Sequence, residues 1–364
     1  MLHRFDSPPP RVCLLRLSAI GDTCHAAALL AALKRAWPGT RFTWIIGHLE
    51  AKLMSPILPG VEFITFDKRS MARELLHLRR SLAHRRFDLL LDLQVSLRAS
   101  LVSVLIKAPI KLGFDRARAR ELQWLFTNAK VPTAQCEHVL DSFMGFARAC
   151  GVAHGPASWD VLLPASALDY ARRLIPDDRP TLVLSPASSH RARNWSAERY
   201  AALADHAASV LGMRVIVAGG PSDLEVSLAR HIVAIAKSAR TAACPIVNQV
   251  GQDTLPQLLA LLARATVLVS PDSGPVHMAT MVGCPVIGLY AATRTARTGP
   301  YYSRRWCVDK FEEAARNLLG KASADVPWPA KIERFGVMDV IEVDDVIQKL
   351  DTLLIEKNSL KMRP

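Results

Sequence analysis

The chain has 364 residues, half of them hydrophobic and 22% charged, with a formal net charge of +13. This length and balance predict two globular domains with proper cores and argue against general disorder. The positive field attracts anions (nucleic acid, phosphorylated sugars or acidic lipid head groups) without choosing among them, and no zinc finger, RNP-like aromatic motif or basic-region helix supports nucleic acid. The seven cysteines (Cys13, Cys24, Cys136, Cys150, Cys244, Cys284 and Cys307) are odd in number, widely spaced and without a CxxC pair. They argue against a disulfide framework or a zinc site and fit free thiols in a reducing cytosol. There is no run of about 18 uncharged apolar residues. The N-terminal stretch, with Asp6 and Pro8 to Pro10, lacks the basic and apolar regions of a signal peptide.

In chain order, strands are expected at Arg11–Leu17, Arg41–Gly47, Glu62–Phe66, Asp88–Leu93 and Ile110–Phe114. Helical spacing runs through Cys24–Trp37, Ser70–Arg86 and Ser96–Lys107 between them. The pattern weakens from Gly155 to Arg179, where Pro156, Pro164, Pro176 and Pro180 mark a boundary, although Leu168–Leu174 has room for a connecting helix. Alternation then restarts. Strands follow at Thr181–Ser185, Met213–Ala218, Pro245–Val250, Val267–Ser270 and Val286–Tyr290, with helices at Ser196–Val210, Ser222–Lys237 and Thr254–Ala263. Val343–Glu356 reads as a C-terminal amphipathic helix. Such alternation means βαβ units and parallel sheets, whose ligands sit beyond the carboxyl ends of the strands.

Five stretches occupy such positions or carry unusual charge. Ser18-Ala19-Ile20-Gly21-Asp22-Thr23-Cys24-His25 follows the first strand; Asp22 there is either a helix cap or a general base, and His25 suits a structural role. Ser185 to Trp195 offers the hydroxyls of Ser188 and Ser189 and the guanidinium of Arg193 to phosphate oxygens, or is a polar loop with a solvated basic face. Gly219-Gly220-Pro221-Ser222-Asp223-Leu224-Glu225 is not a GxGxxG loop, and its carboxylates fit a ribose hydroxyl or an ordinary helix start. Ser270-Pro271-Asp272-Ser273-Gly274-Pro275-Val276-His277 is the most specific, a strand and polar turn opening a small-residue helix whose backbone N–H groups suit a diphosphate. The last is a basic run: Lys68, Arg69, Arg73, Arg79, Arg80, Arg85 and Arg86, then Arg98, Lys107 and Lys111, then Arg116, Arg118 and Arg120. It reads as solvated helix faces or as a docking surface for a phosphorylated, membrane-embedded acceptor.

These stretches, in this order, resemble the heptosyltransferases of glycosyltransferase family 9 over nearly the whole chain, most closely at Arg16–His25, Leu184–Trp195, Ala218–Glu225 and Ser270–Tyr301. Phe87–Ser100 and Lys111–Asn128, with Gly113-Phe114-Asp115, look most like the heptosyltransferase I type. The resemblance implies an α/β GT-B fold: two Rossmann-like parallel-sheet domains facing a central cleft. Residues 1–165 would bind the acceptor, 166–340 the nucleotide-sugar, and 341–364 would form a helix packing back on the N-terminal domain. It also implies inverting transfer of a heptose from ADP-heptose to the 3-deoxy-manno-octulosonate (Kdo) of lipid A-core, with no metal or other cofactor, at the cytoplasmic face of the inner membrane.

By position in the family's motifs, Asp22 would be the catalytic carboxylate. Ser188, Ser189, Arg193, Asp272, Ser273, Gly274 and His277 would bind the donor, with either Asp223 or Glu225 at the nucleotide. Arg193 stands where the family has lysine, and Ala291 and Arg294-Thr295 replace the usual glycine and Asp-Pro. Arg69, Arg98 and Arg120 would hold the anionic acceptor. Two other classes stay in view: a related transferase or GT-B epimerase using another nucleotide-sugar, and a non-enzymatic protein that binds an anionic polymer or lipid.

Overall fold

A computed structural model of the protein describes residues 7–67, 69–238 and 245–361; Lys68 of the basic run, Asp6 and Cys244 lie outside the described residues. The chain folds as two compact units, Met1–Leu162 and Leu163–Pro364.

In the first unit the order is β1 (Arg11–Leu15), α1 (Ile20–Ala36), β2 (Arg41–Gly47), α2 (His48–Ile57), β3 (Val61–Phe66), α3 (Met71–Leu82), β4 (Leu89–Asp92), α4 (Leu97–Val104), β5 (Ile110–Gly113), β6 (Ala129–Lys130) and α5 (Val139–Ala149). The strands form one parallel sheet in the order β3-β2-β1-β4-β5-β6. Strands β1, β2 and β4 are buried almost end to end, as expected of strands covered on both faces.

Three local differences from the expected elements have physical causes. Helix α1 starts at Ile20, four residues earlier than its apolar spacing suggests, because Asp22 at its third position accepts the Ala19 N–H at 3.5 Å and closes the first turn. Helix α2 carries Pro56 within its last turn, where the sequence reads as a helix breaker. Helix α5 is capped by an imidazole: His138 Nδ1 accepts from Leu140 N at 3.1 Å, a cap that hydroxyl- and carboxylate-based signals miss.

The second unit runs α6 (Ala165–Leu174), β7 (Thr181–Leu184), α7 (Ala197–Ser209), β8 (Arg214–Val217), α8 (Asp223–Ile235), β9 (Ile246–Asn248), α9 (Leu255–Arg264) and β10 (Val267–Pro271). It continues through α10 (Gly274–Met281), β11 (Val286–Tyr290), α11 (Thr295–Thr298), β12 (Val308–Asp309), α12 (Phe311–Leu319) and α13 (Val343–Lys361). Its parallel sheet has the order β12-β11-β10-β7-β8-β9, which repeats the first sheet's winding, read from the opposite edge. The α/β architecture of two Rossmann-like parallel sheets is thus the one expected. In each unit the winding reverses beside the first strand, between β1 and β4 and between β7 and β10. Such a reversal is where doubly wound sheets bind ligands.

The C-terminal helix, expected against the N-terminal domain, belongs to the second unit, where α13 buries Val346, Leu350 and Leu353 in the core. His206 on α7 meets Asp351 at 3.0 Å, and Lys357 Nζ donates to the Thr266 carbonyl at 2.8 Å. The apolar stripe of the helix finds its cover on the sheet that immediately precedes it in the chain. Among the described cysteines only Cys136 is exposed. Burial pushes the Cys150, Cys284 and Cys307 thiols up to about 12, so these sulfurs pack rather than react. Among the described residues no helix is long and apolar enough to cross a membrane.

Candidate active site

In the first unit the loop from β1 to α1 is laced to the loop after β4. Leu17 N and Ser18 N both donate to Gln94 Oε1, at 2.6 and 3.3 Å. Arg16 Nη1 donates to the Leu93 carbonyl at 2.7 Å, and its Nη2 pairs with the Asp22 carboxylate. The Arg16 guanidinium also lies over the Phe143 ring, 5.5 Å from its centroid. Asp22 is thereby held at the switch point, one-third exposed, with a fixed cation on one oxygen. A carboxylate there can accept a proton from a hydroxyl, and the helix N-terminus favours its negative charge. His25 is buried, with its ring 5.7 Å from that of His138 and 6.1 Å from that of Phe143.

Asp92, passed over in the sequence as part of an apolar strand, ends β4 with no exposure. Its Oδ2 has no hydrogen-bond partner. Burial pushes its carboxyl up to about 7 despite bonds from Gln94 and Gln123 and the charges of Arg16 and Lys111.

The expected acceptor arginines follow three different strands of this sheet. Arg98 opens α4, just past β4, and Arg120 sits past β5; both are exposed. Arg69 lies beyond β3, the edge strand on the opposite side, and is paired with Asp67 at 3.0 Å. The fold therefore groups Arg98 and Arg120 and sets Arg69 apart.

In the second unit the loop after β7 and the start of α10 meet at the other switch point. Ser188 is buried, and its own loop uses its polar atoms: N donates to Asn194 Oδ1 at 2.7 Å and Oγ donates to the His190 carbonyl at 3.0 Å. Ser189 beside it is exposed. Arg193 closes a short helical turn with a buried guanidinium whose Nε has no partner. Its Nη1 lies 3.5 Å from Asp272 Oδ2 and its Nη2 lies 2.5 Å from Glu333 Oε1. Asp272 also accepts from Thr298 Oγ1 at 3.3 Å. Ser273, the N-cap of α10, turns its hydroxyl back to Ser270 at 2.8 Å and leaves the helix start without a side-chain cap. Gly274 and Pro275 then open the helix, and His277 is buried one turn in. A helix start of small residues without a side-chain cap suits an anion.

Two residues of this cradle escaped the sequence reading. Ile332 is buried in the core and its N–H donates to the Ala292 carbonyl at 2.8 Å. That anchor brings its neighbours Lys331 and Glu333 to the rim. Desolvation and the charges of Arg193 and Arg297 hold Lys331 below the ordinary lysine range, while Glu333 and Asp272 oppose this. Glu333 is also 3.5 Å from His190 Nδ1, and the Arg193 partnership keeps its carboxyl low against some desolvation. No motif marks these positions.

At the edge formed by β8 and β9, Glu225 accepts from Gly220 N at 2.7 Å and from Ser222 Oγ at 2.6 Å. A Cβ at Gly220 would lie 2.9 Å from Glu225 Oε2, so a larger residue there would push the carboxylate end aside. Asp223 is exposed at the first position of α8. Glu225, rather than Asp223, thus faces the loop beyond the strands. The substituted rim has a structural reason too. Ala291 is fully buried, and Arg294 turns away to donate to the Ser323 and Val326 carbonyls at 2.5 and 2.7 Å, stacked 4.3 Å from the Phe311 centroid.

Comparison with known proteins follows the same lines. The model of glycosyltransferase family 9 (heptosyltransferase) matches residues 75–324. The lipopolysaccharide core heptosyltransferase OpsX of Haemophilus influenzae is 37% identical over 96% of this chain and 98% of its own length. A glycosyltransferase family 9 structure from Veillonella parvula superposes with a TM-score of 0.76 at 22% identity, covering 98% of this chain and 99% of that one. The E. coli heptosyltransferase WaaC, solved with ADP, superposes with a TM-score of 0.73 at 21% identity over 94% of this chain and 99% of that one.

Proposed function

Because the chain belongs to glycosyltransferase family 9, and is therefore a glycosyltransferase, we propose that it moves a heptose from ADP-heptose to a Kdo residue of the lipopolysaccharide inner core. The observation that carries this reading is the cation cradle at the second switch point: Arg193 held by Asp272 and Glu333, with Lys331 beside it and the start of α10 opposite. The OpsX relationship supports a lipopolysaccharide core acceptor.

In this mechanism Arg193, Lys331 and the first turn of α10 take the diphosphate. Charge grows on the leaving phosphate as the glycosidic bond breaks, and fixed donors aimed there lower the barrier. Ser189, exposed beside the loop, is a hydroxyl available to the phosphates, while Ser188 shapes the loop that presents it. Glu225 stands at the edge where a ribose hydroxyl would lie. Asp22 takes the proton of the attacking Kdo hydroxyl, with Arg16 fixing its orientation, and displacement from the opposite face inverts the anomeric centre. No metal is assigned a step: Arg193 and the helix start do the charge neutralisation. Arg98 and Arg120 hold the anionic acceptor, and the reaction takes place at the cytoplasmic face of the inner membrane.

The test is ADP release from ADP-heptose with a heptose-less core acceptor, with and without phosphate on Kdo. Release that depends on acceptor is expected. No release with either acceptor sinks the heptose assignment, and release without any acceptor favours an epimerase or hydrolase.

A further inference from the structure

Helix α4 is built inside out for a helix that covers a sheet. Ala99, Ser100 and Ser103, with Val102, face the core and are fully buried. Both leucines of the helix, Leu97 and Leu101, lie outside with Val104, at helical spacing i, i+4, i+7, and are 47%, 41% and, for Val104, 59% exposed. One face of the helix is thus apolar and open to solvent.

The stripe does not stand alone. The Leu97 N–H donates to Glu121 Oε2 at 2.7 Å, which brings the following turn against the first turn of the helix. That turn adds Leu122 and Leu125, 52% and 58% exposed. Scattered exposed leucines need no explanation, but five large apolar side chains gathered on one helix and its neighbouring turn do. The charges beside them are of one sign. Arg98 lies within the helix, Arg120 beside Leu122, and Arg116 over the Trp124 ring at 4.6 Å. Among the described residues none of these three arginines forms an ion pair, and Glu121, the nearby acid, is engaged by the helix backbone.

We propose that this face is a docking surface for a phospholipid bilayer bearing anionic head groups. The apolar side chains enter the boundary between head groups and acyl chains, and the arginines meet the phosphates. A protein partner of matching shape would need acids around an apolar groove, whereas anionic lipid supplies both chemistries in one plane. The position in the fold agrees. The loop between β4 and α4 carries Gln94, which is bonded to Leu17 and Ser18 in the Asp22 loop, so the surface adjoins the place where the acceptor would be activated. The inference extends the reading of a lipid-anchored acceptor, but it is tested without donor or acceptor.

The full chain is sedimented with vesicles of equal parts phosphatidylethanolamine and phosphatidylglycerol, and with vesicles of phosphatidylcholine. Binding to the anionic vesicles that weakens with salt is expected. Leu101→Asp with Val104→Asp should lower the partition about tenfold or more, and Arg116→Ala should lower it about fivefold. The two apolar positions are exposed, so the paired variant should keep its melting temperature and its turnover on a soluble acceptor. Wild-type protein that stays in the supernatant, or variants that bind as well as wild type, overturn the proposal. So does a dimer in light scattering that Leu101→Asp dissolves, which would make a second copy of the chain the occupant. Vesicle binding by a chain that does not turn over ADP-heptose would sink the function and spare this surface; turnover without vesicle binding would do the reverse.

Discussion

Arg193 Nη2 lies 2.5 Å from Glu333 Oε1, so the chain's own carboxylate occupies a position on the guanidinium where a phosphate oxygen of the donor would bind. Glu333 is one-third exposed and sits on an irregular segment at the rim. A bound diphosphate must therefore compete with it. Glu333→Gln removes the competing charge and should tighten ADP binding about fivefold, a gain limited by solvent screening. Arg193→Ala should weaken the same binding about 30-fold, the scale of a charge-assisted bond in a buried site. Titration calorimetry measures both. Unchanged affinity in Arg193→Ala would remove Arg193 from the donor site, and weaker binding in Glu333→Gln would make Glu333 a support for the arginine instead.

Asp22 is the expected base, and Arg16 is the group that aims it. Asp22→Asn should leave ADP affinity unchanged while turnover falls about 100-fold or more. Arg16→Ala should lower turnover less, with affinity again preserved, because the carboxylate remains but loses its orientation. Near-normal turnover in Asp22→Asn would take the residue out of the chemistry.

Asp92 ties the stability of the first unit to pH. Its folded carboxyl titrates near 7, above the ordinary aspartate value of 3.8, because burial penalises the charged form. Between those values the native state holds a proton that the unfolded chain has released, so the group's contribution to stability falls as pH rises through that window. The displacement corresponds to about 4 kcal/mol at most. Asp92→Asn, neutral at every pH, should match wild type in urea unfolding near pH 4 and be the more stable protein at pH 8. Equal stability of the two at both pH values would mean that Asp92 is solvated in solution.

Arg294 carries no expected donor contact; it holds the turn of Ser323 to Val326 in place between aromatic rings. Arg294→Ala strands two carbonyls and should cost the second unit about 3 kcal/mol. Thermal unfolding reads the loss. Loss of donor affinity without loss of stability would place the guanidinium in the donor site after all.

How far the site could be read from the chain varied with the kind of residue. Asp22, Arg193 and Asp272 lie in the segments that follow strands β1, β7 and β10, and strand ends are visible as short apolar runs that stop at a polar turn. Ser188 was legible as a position but not as a role, since nothing local says that its hydroxyl is used by its own loop. Asp223 and Glu225 look alike in the sequence because both are acids in the first turn of one helix; only the fold shows that Glu225 is the one whose carboxylate reaches Gly220 N. Asp92 was hidden by its surroundings, since one acid in a run of leucines leaves the strand pattern intact.

Hydrophobic periodicity is a local property, and it was enough to establish alternating strands and helices, two parallel sheets and the strand ends at which chemistry should be sought. Strand order and side-chain partnership are not local. Arg193 meets Glu333 across 140 positions of chain, and Arg16 meets Leu93 across 77, only because the sheets wind in a particular order and a buried Ile332 or a shared switch point draws the segments together. The same holds for α4. The helix was legible in the chain, but which side would be buried was not: the fold covers Ala99, Ser100, Val102 and Ser103 and leaves Leu97, Leu101 and Val104 exposed, because burial is decided by the elements packed around a helix and not by its own spacing.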